Sequence, residues 1–399
     1  MSAQRKDDHV RLAIEQHHGH SGHNQFDEVS FVHHALAGID RPEVSLATSF
    51  AGISWQVPIY INAMTGGSAK TGAINRDLAT AARESGVPIA SGSMNAYLKD
   101  PSCAGTFRVL REENPDGFVM ANINATTSVD NARRAVDLLE ANALQIHINT
   151  AQETPMPEGD RSFSSWGPRI GKIAAAIDIP VIVKEVGNGL SHQTLLTLQD
   201  LGVRAADVSG RGGTDFARIE NGRREHADYA YLRGWGQSTA ACLLDAQGLA
   251  IPVLASGGVR HPLDVLRALA LGARAVGSSA GFLRTLLDGG VPALVAQLTA
   301  WLDQLAALQT MLGARTPADL TRCDLLVHGE LRDFCADRGI DPRRLAQRSS
   351  SGPVPATGPG LVPATGPGLV PATGSAPAPE RGPGSAAVAG SVPARSSAH

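Results

Sequence analysis

The segment HINTAQE, residues 147–153, places an imidazole (His147), two amides (Asn149 and Gln152) and a carboxylate (Glu153) directly after the apolar run ALQI. Polar groups taken out of water without partners cost kilocalories each, so a buried strand ending this way either satisfies itself in a loop or holds a ligand. Asn149 and Glu153 supply hard oxygens of the kind Mg²⁺ accepts when phosphate oxygens complete its shell. His147 adds a group that changes charge near neutral pH. Lys184 lies inside a second apolar run, IPVIVKE (179–185). A buried lysine needs a counter-charge or an anionic ligand, or it loses its proton. The loops SGGVR (256–260) and VGSSA (276–280) are rich in glycine and small residues. Glycine lets backbone N–H groups close around an oxyanion, so these two loops read as a phosphate cradle. Arg5 and Lys6 are cations suited to clamping phosphate. HHGHSGH (17–23) has no spacing that fixes a metal geometry and reads as a loop.

Such groups need a scaffold, and the sequence has a regular one. Apolar or β-branched runs recur at 57–63, 87–93, 117–123, 143–149, 179–185, 204–210, 251–258 and 274–279. Between them lie stretches of helical spacing such as INRDLATAARESG, SVDNARRAVDLLEA and HPLDVLRALALGA. Strands apolar throughout and alternating with helices form a parallel sheet covered on both faces. Eight units close into a (β/α)8 TIM barrel, whose chemistry sits at the C-terminal ends of the strands. Every one of the eight runs ends in hydrogen-bonding residues. The long stretch 211–250, rich in charge and aromatics, has the length of a functional lid. The expected organisation is an N-terminal extension (1–55), the barrel (56–347) and a Pro/Gly/Ala-rich tail (348–399). The tail repeats VPATGPGL and has the composition of a disordered segment.

The formal net charge of -3 argues against a nucleic-acid binder. No run of about 18 apolar residues is present, so no membrane partner is expected. The N-terminus lacks a secretory h-region. Four scattered cysteines, Cys103, Cys242, Cys323 and Cys335, form no CxxC pair. A reducing, cytoplasmic location fits them.

The motifs RKDDH (5–9), INAMTGGS (61–68), ASGSM (90–94), ANINA (121–125), HINTAQE, VKEVGNG (183–189), VSGRGGTDF (208–216), RGWGQST (233–239), ASGGVR (255–260) and ALALGARAVGSSAGFL (268–283) run in order through the folded part. In these the chain resembles the type 2 isopentenyl-diphosphate isomerases, FMN-dependent barrel enzymes. The resemblance implies interconversion of isopentenyl and dimethylallyl diphosphate by proton addition and elimination without net redox, in isoprenoid biosynthesis. It implies reduced FMN and Mg²⁺, with NADPH as reductant, and a homo-oligomer, a tetramer or octamer. Carried over by position, FMN contacts are expected from Ala63, Met64, Thr65, Ser93, Asn122, Lys184, Thr214, Gly257, Gly258, Arg260, Ser279 and Ala280. The diphosphate is expected on Arg5, Lys6, His147 and Asn149, with Gln152 against the reacting carbons and Glu153 on Mg²⁺. Gln152 and His147 are the expected catalytic side chains. An IMP-dehydrogenase-like reading needs a cysteine nucleophile in the loop after the sixth run, and the nearest, Cys242, lies outside its glycine-rich motif; two other readings stand beside that of the isomerase. One is a 2-hydroxy-acid oxidase or dehydrogenase on the same barrel, in which a histidine base is expected where Arg211 stands. The other is a non-catalytic module binding FMN or phosphate, which does not need Gln152, Glu153 or the Arg5–Lys6 pair.

Overall fold

The computed structural model describes residues 11, 12, 16 and 23–351. Arg5, Lys6, most of HHGHSGH and the repeat-containing tail lie outside the described residues. Twelve strands are present among those described: β1 (Val29–Phe31), β2 (Thr48–Phe50), β3 (Ile53–Trp55), β4 (Ile59–Ile61), β5 (Ile89–Ala90), β6 (Val119–Asn124), β7 (Ala143–His147), β8 (Val181–Lys184), β9 (Ala205–Asp207), β10 (Val253–Ser256), β11 (Val276–Ser278) and β12 (Leu325–Val327). Strands β4 to β11 form a closed barrel in chain order, with β11 returning to β4 and every pairing parallel. Each coincides with one of the eight runs read from the sequence, β6 extending one residue past its run to Asn124.

The interstrand helices begin where the sequence supplies a hydroxyl. Ser68, Ser128, Ser191 and Ser238 each accept a hydrogen bond from a backbone N–H in the first turn. Capping these otherwise unpaired amides fixes where helices Ala69–Ser85, Val129–Leu139, His192–Asp200 and Thr239–Asp245 start. These starts set the length of the loops at the barrel mouth.

The inside of the barrel is layered. Tyr60, Met120, Ala143, Ile182, Ala205, Leu254 and Ala275 form one apolar cluster with Phe50, Ile53 and Trp55. The hairpin β2–β3 therefore plugs the N-terminal end. Its turn carries Ala51 and Gly52 at positive φ (51° and 81°), as tight two-residue hairpins require. Trp55 packs against Phe50, Tyr60 and Phe118 with ring centroids 5.1, 5.5 and 5.2 Å away. Two residues further along each strand, inward-facing positions recur. There the side chains are Asn62, Asn122, Gln145, Lys184, Asp207 and Ser256. A polar layer thus lies above an apolar plug, one step below the mouth.

Beyond β11, Ala280–Leu312 is a helix long and apolar enough to cross a membrane, which the run-length reading of the sequence does not anticipate. In the fold it is a wall of the barrel. Gly290 (φ 72°, ψ -172°) and Pro292 break it, and Phe282, Leu283, Leu286, Leu294, Leu298 and Trp301 are buried along its length. At the far end of the described chain, Arg348 donates to Ala270 O (2.7 Å) and Ser349 is held by Asp324.

Candidate active site at the barrel mouth

A cavity of about 480 Å³ opens at the C-terminal ends of the barrel strands, within the range of small-molecule sites. One wall is the end of β7. Asn149 follows the strand and precedes the one-turn helix Thr150–Glu153, which turns Gln152 and Glu153 back to the same side. Asn149 Nδ2 donates to Gln152 Oε1 (3.1 Å) and to Glu153 Oε1 (2.9 Å). The other Glu153 oxygen accepts the Asp160 amide (2.8 Å). Gln152 Nε2 donates to Glu220 Oε1 (3.0 Å), and the fully buried Glu220 is paired with Arg223. Arg223 also reaches Glu158 at 2.9 Å. The Gln152 amide is therefore held from both ends.

The opposite wall is glycine. Gly257 and Gly258 have φ of +89° and +75°, and a Cβ on Gly257 would meet the Gly210 carbonyl oxygen at 2.0 Å. Only glycine lets these two chain segments approach so closely. Arg260, beside this cradle, donates to Asp264 from Nε (2.8 Å) and to Asp27 from Nη1 (2.8 Å) and Nη2 (2.6 Å). The two carboxylates raise its pKa and balance its charge. A phosphate here would be cradled chiefly by loop backbone, with Arg260 fixing the loop.

The floor is the polar layer. Asp207 is fully buried, yet its carboxylate accepts from Tyr60 (2.7 Å), Asn62 Nδ2 (2.8 Å), the Ser209 amide (3.1 Å) and Ser256 (2.9 Å to each oxygen). Burial, then the neighbouring carboxylate, pushes the Tyr60 hydroxyl well above its usual pKa, so it stays a donor. Lys184 sits in register with Asp207 across the β8–β9 pair and donates to Glu185 O at 2.7 Å. Burial lowers the Lys184 pKa, and the charges of Asp207 and Glu185 oppose that. Glu185 is also buried. Its burial raises the carboxyl to about 7, although the amides of Asn188, Val186 and Gly187 all donate to it. His147 Nδ1 lies 2.9 Å from Asn122 Oδ1.

The cavity is lined by Ala63, Met64, Ser93, Asn122, His147, Asn149, Gln152, Glu153, Lys184, Thr214, Gly257, Gly258, Arg260, Ser279 and Ala280. Of the other residues singled out, Thr65 is buried behind the lining with its hydroxyl unpartnered, as is that of Ser91. Arg5 and Lys6 fall outside the described residues. Arg211 is exposed and donates to Gly234 O at 2.8 Å. Cys242 is buried, and burial drives its thiol far above the range of a nucleophile. The stretch 211–250 holds two α-helices, Phe216–Gly222 and Thr239–Asp245, and the first brings Glu220 to Gln152. Glu220, Asp207, Asn62 and Gln145 were not singled out from the sequence. Three of them are polar residues at inward parity in apolar strands, a signal that was present; Glu220 came from a long loop and had none.

Among the described residues no three His, Cys, Asp or Glu side chains form a metal cluster. Glu153 with Asn149 is the arrangement that suits a cation drawing most of its ligands from phosphate and water.

Known proteins match the chain closely. The family described as FMN-dependent dehydrogenase matches residues 111–326. An isopentenyl-diphosphate delta-isomerase of Streptomyces sp. (strain CL190) is 87% identical over 350 residues, covering 88% of this chain and 96% of that protein. Proteins of the same name from Kitasatospora griseola and Nocardia farcinica are 79% and 60% identical, each across 88% of this chain and 97% of their own length. Among solved structures, a mandelate oxidase variant with 2-hydroxy-phenylacetamide superimposes with a TM-score of 0.54 at 16% identity, over 81% of this chain and 91% of that one. A flavocytochrome b2 variant gives 0.54 at 19% identity, over 75% and 76%. At such identities these two share the barrel and nothing more is drawn from them.

Proposed function

The chain belongs to the FMN-dependent isopentenyl-diphosphate delta-isomerases, and from that membership we propose how its cavity is divided between flavin, metal and substrate. The chain is an isomerase of isopentenyl and dimethylallyl diphosphate, on a barrel of the FMN-dependent dehydrogenase kind. The cavity fits the flavin. A glycine cradle faces a buried lysine, and unpartnered hydroxyls of Thr65 and Ser91 flank the lining residues Met64 and Gly92. Bound and reduced, FMN supplies an acid–base site against the allylic unit. Ala63, Met64, Ser93, Asn122 and Thr214 would line its ring, Lys184 would face it, and the Gly257–Gly258 and Ser279–Ala280 loops would take its phosphate.

The substrate diphosphate would lie on His147 and Asn149, with Mg²⁺ on Glu153. Arg5 and Lys6 are proposed as further clamps from the motif they share with the family. Gln152, tied to Asn149 and Glu220, would hold the five-carbon unit so that one end of its three-carbon allylic system gains a proton and the other end, two bonds away, loses one. Positioning of this kind lowers the barrier by prepaid entropy. The observation that carries this reading is the convergence of His147, Asn149, Gln152 and Glu153 from one strand end onto a cavity whose far wall is the phosphate cradle. We further propose NADPH as reductant, a cytoplasmic location with no nucleic-acid or membrane partner, and assembly as a tetramer or octamer. Support for the location comes from composition and from four cysteines that are all unbridged. Turnover in deuterated water tests the chemistry. Deuterium should enter the product at carbon, and recovered substrate should exchange too; product free of solvent deuterium would exclude proton addition and elimination.

A further inference from the structure

His147 is joined to the barrel floor by a file of three amides. Asn62 Nδ2 meets Asp207 Oδ2 at 2.8 Å, and Asn62 Oδ1 meets the Ala63 amide at 2.8 Å and Gln145 Nε2 at 3.4 Å. Gln145 Oε1 meets Asn122 Nδ2 at 3.1 Å, and Asn122 Oδ1 meets His147 Nδ1 at 2.9 Å. The direction of this file is set at its origin. The Asp207 carboxylate collects donors from Tyr60, Ser209 and Ser256 as well, so its oxygens serve as acceptors. The Ala63 amide can only donate. Asn62 must therefore turn its NH₂ to Asp207 and its oxygen to Gln145. Gln145 must then give its NH₂ to Asn62 and its oxygen to Asn122, and Asn122 is left presenting oxygen to His147. An oxygen acceptor requires a proton on Nδ1.

We propose that Asp207 and Gln145 are positioning residues for the isomerisation, acting through this directed relay to fix the proton of His147 on Nδ1. In the neutral ring the lone pair is then on Nε2. The ring therefore meets a diphosphate already oriented, and no reorganisation is spent on turning it. Gln145 is fully buried and Asp207 is fully buried, so neither touches substrate. The use made of the relay rests on the proposed role of His147 at the diphosphate; the tautomer does not.

The test uses FMN holoenzyme with isotope-labelled histidine nitrogens, read by solid-state NMR. The His147 signal is identified by its loss in His147→Gln. Wild type should carry the neutral-state proton on Nδ1, and inorganic diphosphate with Mg²⁺ should shift the Nε2 signal. Gln145→Met cuts the file. It should give a mixture of tautomers and raise KM for isopentenyl diphosphate about fivefold, the scale of one misplaced hydrogen bond, with kcat and FMN content little changed. Gln145→Glu, kept neutral by burial, offers one donor and one acceptor in the same order and should restore both. A wild-type His147 protonated on Nε2 alone overturns the proposal, and this arm stands even if Gln145→Met does not fold. An unchanged tautomer and KM in folded Gln145→Met overturns it too. An Nδ1 proton with no response to diphosphate supports the relay and removes the diphosphate reading of His147.

Discussion

Glu153 accepts from Asn149 Nδ2 and from the Asp160 amide, one bond to each oxygen. A carboxylate has about four lone-pair directions, so it is oriented by these donors yet still able to ligate a cation. Glu153→Gln keeps the shape and removes the charge. The concentration of Mg²⁺ needed for half-maximal activity should rise at least about tenfold, with FMN content unchanged; metal titration of the two activities would reveal an unaltered requirement if Glu153 is not a ligand. Glu185 gives a prediction in pH. Burial raises its folded carboxyl to about 7 from an ordinary 4.5. Below about pH 4.5 it is protonated in both folded and unfolded chains and its contribution is fully present. Between these values the unfolded chain has already lost the proton that the folded chain keeps, so stability falls as pH rises through about 7. The loss approaches ~3 kcal/mol. Denaturant melts of wild type and Glu185→Gln should diverge from about pH 5 to about pH 8, wild type weakening relative to the variant, whereas parallel profiles would place the titration elsewhere.

Six of the eight barrel strands offer their inward residues in two steps, first to the plug and then to the polar layer, and the other two place Gly92 and Gly277 at the second step. The strand runs and the glycine loops were legible because apolar alternation and glycine clusters act locally. Lys184 and His147 were legible for the same reason, as polar residues where burial was expected. Asp207 carries the same signal in AADVSG, but its meaning depends on Tyr60 and Asn62 at the end of one other strand and Ser256 on a second. Only barrel closure brings them together. Glu220 is further from reach, since nothing in a forty-residue loop says which acid will turn back onto Gln152. Nor does the pattern SGGVR say that Arg260 spends its donors on Asp27 and Asp264. The cradle itself depends on backbone approach. Gly257→Ala sets a methyl 2.0 Å from the Gly210 oxygen at a φ of +89°. Strain of about 1–3 kcal/mol is expected, seen as a lowered melting temperature and loss of bound FMN; full FMN occupancy in the variant would show that the loop does not carry the phosphate.

Residues 353–399 lie outside the described residues, and the family match at 111–326 lies within the described ones. The repeat VPATGPGL has little apolar surface to bury. Truncation after residue 352 should leave kcat/KM for isopentenyl diphosphate within about twofold, a difference of under ~0.5 kcal/mol; a larger fall would give the tail a part in the barrel's work. The central claim is that this barrel moves a proton along an allylic unit and consumes no reductant in doing so. Its most direct test is anaerobic conversion of isopentenyl diphosphate with FMN, Mg²⁺ and a catalytic amount of NADPH, following product and NADPH together. Dimethylallyl diphosphate should accumulate over many turnovers after NADPH oxidation has stopped, and none should form without reductant. Product formed in step with NADPH consumed would contradict the claim, because the flavin would then be passing electrons to the substrate.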